Sequence, residues 1–205
     1  MALWLVRHGE TEWSLSGRHT GSTDVPLTPE GEVQAKAIGH LLAGRRFDHV
    51  LSSPMARARR TAELAGFGDR VLASDALREV DYGGFEGRTT DEIWQIHPGW
   101  QLFRDGCPSG ESPDQVAARV DRFRDQLSTL AGRVLLFGHG HCLRALAVRY
   151  LGLSIHTAAQ MRLDTGSVSI LTMERDGPTL ALWNRRVPSR AVLVADASIR
   201  LGDVP

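Results

Sequence analysis

The sequence predicts an α/β protein, a three-layer α/β/α sandwich around a mostly parallel central sheet. Short apolar segments at 3–6, 49–52 and 134–137 have the length and composition of buried strands. Longer segments with apolar residues at helical spacing separate them, and this alternation is typical of a parallel sheet covered on both faces. The helical segments lie at 29–43, 54–65, 113–130 and 141–151.

Length and charge limit the class of protein. A chain of 205 residues suits a single domain, 1–205, and we expect its core at about 3–184, with a tail at 185–205 to which we assign no function. Lys and Arg total 24, as do Asp and Glu, so no overall field attracts nucleic acid or an anionic membrane. A site for an anion therefore needs a local cluster of arginines.

Cysteine content and hydropathy indicate the environment of the chain. Cys107 and Cys142 fit neither a zinc-binding spacing nor a disulfide framework, which favours a reducing compartment. No segment approaches the roughly 18 consecutive apolar residues of a membrane span. The apolar run at the N-terminus is also too short for the core of a signal peptide. We therefore expect a cytoplasmic protein without a membrane partner.

The first predicted strand, 3–6, ends abruptly at Arg7-His8-Gly9. In open α/β sheets, ligands bind beyond the carboxyl ends of the strands, so Arg7 and His8 fall where such a fold keeps its chemistry. We expect Gly9 to let the backbone turn and come close to a bound group. Residues 12–26 carry glycine and proline without periodicity and predict a long loop, which in a compact domain more often serves binding than connection.

The next elements follow from capping residues and β-formers. Thr28 is the predicted N-cap of the helix at 29–43, with Pro29 at the first helical position. Arg57 lies in the first turn of the helix predicted at 54–65, near the positive end of the helix dipole, where anions are favoured. The remaining expected elements are a short strand at 71–72, a short helix at 88–97, and a hairpin of 166–174 with 179–184.

The strand at 134–137 mirrors the first strand because it too ends at a histidine, in Gly138-His139-Gly140-His141. A single histidine at the end of a strand is more often unrelated to a site. Two strand ends, however, can place both imidazoles in one pocket. The pair, with Arg7 beside His8, favours a shared site.

Five motifs occur in a characteristic order along the chain. They are Leu5-Val6-Arg7-His8-Gly9-Glu10-Thr11, Pro26-Leu27-Thr28-Pro29-Glu30-Gly31, Ser52-Ser53-Pro54-Met55-Ala56-Arg57-Ala58, Leu77-Arg78-Glu79 with Gly83-Gly84-Phe85-Glu86-Gly87, and Gly138-His139-Gly140. One Arg-His-Gly is weak evidence, but five ordered motifs are specific. Over residues 3–175 the chain resembles the histidine phosphatase superfamily, which includes the cofactor-dependent phosphoglycerate mutases.

Phosphoryl transfer from a monoester needs a nucleophile, cationic donors for the phosphate oxygens, and an acid for the leaving oxygen. A neutral imidazole attacks without losing a proton at its reactive nitrogen, so we assign His8 as the nucleophile. Arg7 and Arg57 are fork-shaped donors that match phosphate oxygens. We expect His139 to complete the cage as a cation that stabilises developing charge. The resemblance implies the same four roles at these positions.

Glu79 is the expected general acid. It must hold a proton for the leaving oxygen, which burial or a neighbouring negative charge promotes. From this residue alone, an ion pair with Arg78 or another arginine is an equal alternative, and the resemblance favours the acid role. Glu86 belongs to the same motif, and we expect it to be structural.

Candidate substrate-binding residues lie mainly on the long loop. The resemblance implies that the Thr20 hydroxyl and the Gly21 amide hold substrate, and we place Tyr82 and Gly140 beside them. Ser14 stands where the family commonly has asparagine, and a serine offers fewer hydrogen-bond donors than an amide. The candidates for holding a second phosphate are Arg18, His19 and Arg104.

These assignments predict a phosphomonoesterase that hydrolyses a small phosphorylated metabolite, such as a sugar phosphate, through a phosphohistidine and without metal or cofactor. Ser14 argues against a mutase, as does the 60-residue spacing (139 − 79) from Glu79 to His139. The mutase branch has a longer insertion there, and a mutase must keep water off its phosphohistidine. A phosphoglycerate mutase and a non-catalytic phospho-ligand binding module are the alternatives, and a homodimer is left open.

Overall fold

The computed structural model describes residues 1–186, which form a six-stranded sheet with helices on both faces. The strands are β1 (Ala2–Arg7), β2 (His49–Ser52), β3 (Leu72–Ala73), β4 (Arg133–Gly138), β5 (Ser167–Glu174) and β6 (Gly177–Arg186). The α-helices are α1 (Glu12–Leu15), α2 (Pro29–Leu42), α3 (Ala56–Ala62), α4 (Thr90–Trp94), α5 (Leu102–Asp105), α6 (Pro113–Ser128) and α7 (Gly140–Tyr150). Residues 187–205 of the predicted tail lie outside the described residues, whereas its first two residues complete β6.

The strand order is β3-β2-β4-β1-β5-β6. The first four strands in this order are parallel, while β5 runs antiparallel to both β1 and β6. The prediction of a mostly parallel sheet is confirmed, and so is the hairpin, in which Glu174 pairs with Gly177.

Both faces of the sheet are buried, which explains why β1 and β4 are continuously apolar. Leu3 and Leu5 of β1 belong to a core cluster that includes residues of α6 and α7. Trp4 and Val6 point to the opposite face and join a second cluster with Ile38 of α2. The predicted three-layer α/β/α sandwich is therefore confirmed.

The register of the parallel strands brings the ends of β1, β2 and β4 to one edge of the sheet. Arg7 at the end of β1 pairs with Gly138 at the end of β4, and Ser52 at the end of β2 pairs with Phe137. The N–H group of His8 then donates to the Gly138 carbonyl at 3.0 Å. The residues that follow β1, β2 and β4 consequently start at the same edge, where the site is built.

Local structure departs from the sequence prediction in short elements. The predicted loop at 12–26 begins with α1, where Thr11 and Ser14 exchange side-chain and backbone hydrogen bonds as a capping box. A helix of four residues is too short to show apolar periodicity, and α5 escaped prediction for the same reason. The helix predicted at 54–65 starts at Ala56, and after Ala62 it continues as a π-helical turn.

Glycine at position 9 has a different purpose from the one expected. A Cβ atom on Gly9 would lie 2.3 Å from the carbonyl oxygen of Gly31 in the first turn of α2. The missing side chain therefore lets the end of β1 pack directly against the backbone of α2, rather than against a bound group. The same helix starts as predicted, because the Thr28 hydroxyl accepts the Gly31 N–H group at 3.0 Å.

Candidate active site

A cavity of about 170 Å³ opens at the carboxyl edge of the sheet, beyond β1 and β4. Seven residues that the sequence singled out as site residues line it: Arg7, His8, Ser14, Thr20, Glu79, Tyr82 and Gly140. Arg57, His139 and Gly21 do not line it. The sequence therefore located the cavity, but the arrangement around it has an inner layer that the cavity does not reach.

His8 is 5% exposed and is held as a neutral imidazole. Its Nδ1 atom lies 2.7 Å from the Gly9 carbonyl oxygen, which can only accept, so Nδ1 carries the proton and Nε2 the lone pair. Burial lowers the pKa of His8 well below 6.5, and the neighbouring Arg57 and Arg7 lower it further. Within residues 1–186 nothing hydrogen-bonds to Nε2, so this nitrogen is available as a nucleophile.

Arg7 lines the cavity and uses only part of its hydrogen-bonding capacity on residues 1–186. Its guanidinium packs over Gly140, where a Cβ atom would lie only 3.2 Å from Cζ. One Nη1 hydrogen bond goes to the Leu163 carbonyl, while Nε is buried without a partner among the described residues. A buried N–H group without an acceptor is costly, so an anionic ligand oxygen at this point would be favoured.

Arg57 lies behind His8 rather than on the cavity wall. It is fully buried, and its Nη atoms donate to the carbonyls of Thr20, Gly21 and Thr23 at 3.0, 3.0 and 2.9 Å. Its Nε atom donates to Nδ1 of His139 at 3.1 Å. In this arrangement Arg57 fixes the long loop and His139, and it contributes positive charge to the cavity from a second layer.

His139 is neutral here, so the expectation of a cation is wrong for this arrangement. Its Nδ1 atom accepts from Arg57, and its Nε2 atom donates to the Ser53 hydroxyl at 2.8 Å. Burial lowers the pKa of His139 well below 6.5, and the charges of Arg57 and His8 act in the same direction. The His139 and His8 rings are 5.2 Å apart between centroids, so the two imidazoles are in contact.

Glu79 faces the cavity and is held by backbone N–H groups instead of an arginine. Oε1 accepts from Val80 at 3.0 Å and from Cys142 at 2.8 Å, and Oε2 accepts from His141 at 3.0 Å. The donors at 141 and 142 belong to the first turn of α7, whose dipole favours a carboxyl group there. A carboxylate offers about four lone-pair positions, so one position on Oε2 stays free. The alternative partner Arg78 pairs with Asp75 at 2.7 Å.

The loop residues use their polar groups mostly on the protein itself. The Thr20 hydroxyl donates to the Arg18 carbonyl at 3.1 Å, and the Ser14 hydroxyl donates to the Thr11 carbonyl at 2.9 Å. The Gly21 amide donates to the carboxylate of Glu86, so it does not face the cavity, contrary to our expectation. Glu86 holds the loop in place through this bond.

Tyr82 and His141 form a short hydrogen-bonded pair on the cavity wall, with Oη and Nδ1 2.6 Å apart. Burial raises the pKa of Tyr82 well above 10, and the negative charge of Glu79 adds to this effect. Burial lowers the pKa of His141 well below 6.5, with Arg144 the next cause. The phenol therefore donates to a neutral imidazole, which leaves the His141 Nε2–H group as a donor.

Three further lining residues, Gly17, Arg144 and Leu163, were not among the candidate site residues. Arg144 follows Gly140 by four positions, so the helical spacing of α7 places both on one face, and the sequence carried this signal. Leu163 carried no such signal. Of the three candidates for holding a second phosphate, Arg18 and His19 line this cavity and Arg104 does not. Arg18 donates to the Gly87 carbonyl and to Glu92, and Arg104 pairs with Asp105 away from this cavity.

Residues 1–186 contain neither a recognisable metal-binding group nor a membrane-spanning helix. No group of three or more His, Cys, Asp or Glu residues in this part of the chain is arranged to hold a metal ion. No helix in the same part is long and apolar enough to cross a membrane.

Fold and site together are those of an α/β enzyme of phosphoryl transfer, with a neutral histidine beside an arginine at the end of β1. The family model of the histidine phosphatase superfamily (branch 1) matches residues 3–186, and the chain belongs to this superfamily. It is an enzyme of the histidine phosphatase type.

Named relatives cover most of the chain. An acid phosphatase of Mycobacterium tuberculosis is 40% identical over 88% of this chain and 90% of its own length. A sedoheptulose 1,7-bisphosphatase of Saccharomyces cerevisiae is 36% identical over 74% and 68%. A probable phosphoglycerate mutase of Photorhabdus laumondii is 34% identical over 82% and 83%. The solved structure of open reading frame Rv3214 from M. tuberculosis superposes with a TM-score of 0.87 at 38% identity, covering 91% of this chain and 98% of that one.

Proposed function

We propose that the protein is a phosphomonoesterase that hydrolyses a small phosphorylated metabolite through a phosphohistidine at His8, without metal or cofactor. The observation that carries the proposal is the state of His8. Its Nδ1 proton is committed to a carbonyl, its Nε2 atom has no hydrogen-bond partner among residues 1–186, and His8 and Arg7 line the same cavity. This is what attack on a phosphate monoester requires.

The reaction then takes two steps. In the first, His8 Nε2 forms a bond to phosphorus while the bond from phosphorus to the ester oxygen breaks, and Glu79 gives its proton to the departing alkoxide. In the second, water attacks the phosphohistidine, the N–P bond breaks, and Glu79 takes a proton from the water. Arg7 and the positive charge of Arg57 neutralise the phosphoryl oxygens in both steps. The free position on Oε2 is where Glu79 would carry the transferred proton.

Hydrolysis is favoured over mutase chemistry by what covers the cavity. Between Glu79 and His139 the longest helix, α6, packs into the core against the sheet, and only the short α4 and α5 remain for the region near the cavity. A mutase has to protect its phosphohistidine from water, which calls for a larger cover. Phosphoglycerate mutase activity remains the second candidate, since relatives with that name are of similar identity.

Location and assembly remain predictions. We expect the protein to act on metabolites in the cytoplasm, and light scattering of the purified protein distinguishes a monomer from a homodimer.

Trapping the phosphoenzyme tests the proposal. Wild-type protein mixed with a ³²P-labelled monoester and quenched in alkali should carry a label that acid releases, because a phosphohistidine is acid-labile. His8→Ala should carry none and should lose on the order of 10⁶ in kcat, by analogy with removal of other enzyme nucleophiles. Activity should survive excess chelator. Equal labelling of the two proteins would refute the role of His8, and loss of activity in chelator would refute metal independence.

A matched substrate separates the two candidate functions. With 3-phosphoglycerate and 2,3-bisphosphoglycerate, a phosphatase releases inorganic phosphate, whereas a mutase produces 2-phosphoglycerate. Production of 2-phosphoglycerate faster than phosphate would establish the mutase.

A further inference from the structure

A second cavity, of about 210 Å³, adjoins the active-site cavity that His8 and Arg7 line. The two cavities share three lining residues, His19, His141 and Arg144. The far wall of the second cavity is aromatic, and the residues that matter here are Trp94, Trp100 and Phe103. A substrate whose phosphoryl group lies against His8 would therefore extend its alcohol portion toward this wall.

The aromatic wall offers ring surface, mostly that of Trp94, because Trp100 is 7% and Phe103 2% exposed. The indole N–H group of Trp94 donates to the Trp100 carbonyl at 2.9 Å, and that of Trp100 donates to the Gly106 carbonyl at 2.7 Å. Trp94 is nevertheless 46% exposed, which is unusual for a residue that is mostly buried in proteins. A partly exposed indole whose polar atom is already satisfied is a surface on which an apolar or planar group can pack.

The charges around the second cavity do not suit another phosphate. Burial lowers the pKa of His19 to about 4 and that of His141 well below 6.5, so both are neutral at physiological pH. Arg144 is the one cation among the lining residues, and it donates to the Ala158 carbonyl while its Cζ atom lies 5.3 Å from the Phe103 ring centroid. A second phosphate here would lose water and meet a single arginine, which already donates Nε and Nη2 to a carbonyl.

From these observations we infer that the second cavity binds the alcohol portion of the substrate and selects monophosphate esters in which that portion carries a planar aromatic or apolar group. The inference rests on the proposed phosphomonoesterase function and deepens it. A cavity on the order of 150 Å³ accommodates a benzene ring, so the space suits one ring system. Stacking on aromatic side chains contributes enough to change kcat/KM by about 5- to 100-fold.

Two alkyl phosphates with similar leaving groups test the inference. Ethyl phosphate and 2-phenylethyl phosphate both release a primary alkoxide, so their rates differ through the phenyl group and not through leaving-group chemistry. We expect kcat/KM to be about 5- to 100-fold higher for 2-phenylethyl phosphate. Ribose 1,5-bisphosphate should be no better than ribose 5-phosphate. A ratio of phenylethyl to ethyl phosphate near one, or a bisphosphate preference above threefold, overturns the inference.

Variants then assign the preference to the cavity. Trp94→Ala should bring the phenylethyl-to-ethyl ratio close to one, and Trp94→Phe should retain most of it. Ile96→Ala is the matched control, because Ile96 is 54% exposed on the same segment and lines neither cavity. Ala159→Trp, which fills the cavity from an exposed position, should also abolish the ratio. An unchanged ratio in both Trp94→Ala and Ala159→Trp would place the phenyl group elsewhere.

The same assay separates failure of the inference from failure of the proposed function. If wild-type protein hydrolyses neither alkyl phosphate nor ribose 5-phosphate, the phosphomonoesterase proposal fails. If it hydrolyses both alkyl phosphates at equal kcat/KM, the phosphomonoesterase proposal stands and only the aromatic selection is refuted.

Discussion

The inner and outer sides of the active-site cavity differ in how their polar groups are satisfied. On the inner side, Arg57 and His139 are fully buried, and their hydrogen bonds go to each other, to Ser53 and to loop carbonyls. On the outer side, Trp94 is half exposed and Arg18 makes a partly exposed ion pair. Groups fixed by protein partners suit chemistry that does not vary, whereas exposed groups can adapt to a particular substrate. Under the proposed function, we expect the inner side to determine the reaction and the outer side to determine the substrate.

Glu79 lines the cavity between the two sides, and its substitution should have the largest effect after that of His8. Glu79→Gln retains the shape but cannot donate a proton, so esters with poor alkoxide leaving groups should slow by about 10²–10⁴-fold. p-Nitrophenyl phosphate, whose leaving group needs little protonation, should slow far less. Steady-state kcat/KM on both substrates measures the difference. Equal slowing would mean that Glu79 only positions the site through its bonds to α7, and thermal unfolding of the variant checks that the fold survives.

Arg57 tests whether a residue of the inner layer contributes to the reaction without lining the cavity. Arg57→Ala removes a buried charge and leaves three loop carbonyls without a donor, so transition-state stabilisation should fall by about 2–4 kcal/mol. That corresponds to roughly 30- to 1000-fold in kcat/KM. The free energy of unfolding should fall as well, because buried acceptors lose their partner.

The control for this substitution is on the same helix. Arg59 is exposed, so Arg59→Ala should change the free energy of unfolding by less than about 0.5 kcal/mol and leave kcat/KM unaffected. A loss below threefold in Arg57→Ala would remove Arg57 from the catalytic machinery. Arg57→Lys should recover little, since an ammonium group cannot reproduce the planar fork that bonds His139 and the carbonyls.

The sequence predicted where the site residues lie along the chain better than it predicted their hydrogen-bond partners. The ends of β1 and β4 were predictable because short, continuously apolar runs stop at Arg7-His8 and just before His139, and parallel strands must bring those ends together. How hydrogen bonds are distributed was not predictable, since it depends on partners far apart in the chain. Gly21 bonds to Glu86, 65 residues later, and Arg57 bonds back to Thr23.

The residues that we propose to select the substrate could not be identified from the sequence, for a related reason. From the sequence alone, Trp94 and Phe103 would be assigned to the core. Only the packing of α4 and α5 shows that they line the second cavity, beside the active-site cavity. The short helices that carry them have no periodicity from which their exposed side could be read. Arg144 is the exception, because its spacing from Gly140 on α7 already indicated its place on the cavity wall.

The smallest predicted effect concerns stability and separates inner histidines from exposed ones. Burial holds the pKa of His8 and His139 well below 6.5 in the folded protein, while unfolding restores ordinary values. Above pH 6.5 neither state binds these protons, so stability is unaffected. As pH falls below 6.5 the unfolded chain binds protons that the native protein does not, and the free energy of unfolding should decrease by at most about 1.4 kcal/mol per pH unit for each such histidine.

Urea denaturation at about pH 7.5, 6.5 and 5.5 measures the slope of the free energy of unfolding against pH. His139→Asn should make it shallower, whereas His97→Asn, at an exposed position, should leave it unchanged. Identical slopes in His139→Asn and wild type would show that His139 is charged in the folded protein and that the inner layer is less desolvated than its burial indicates.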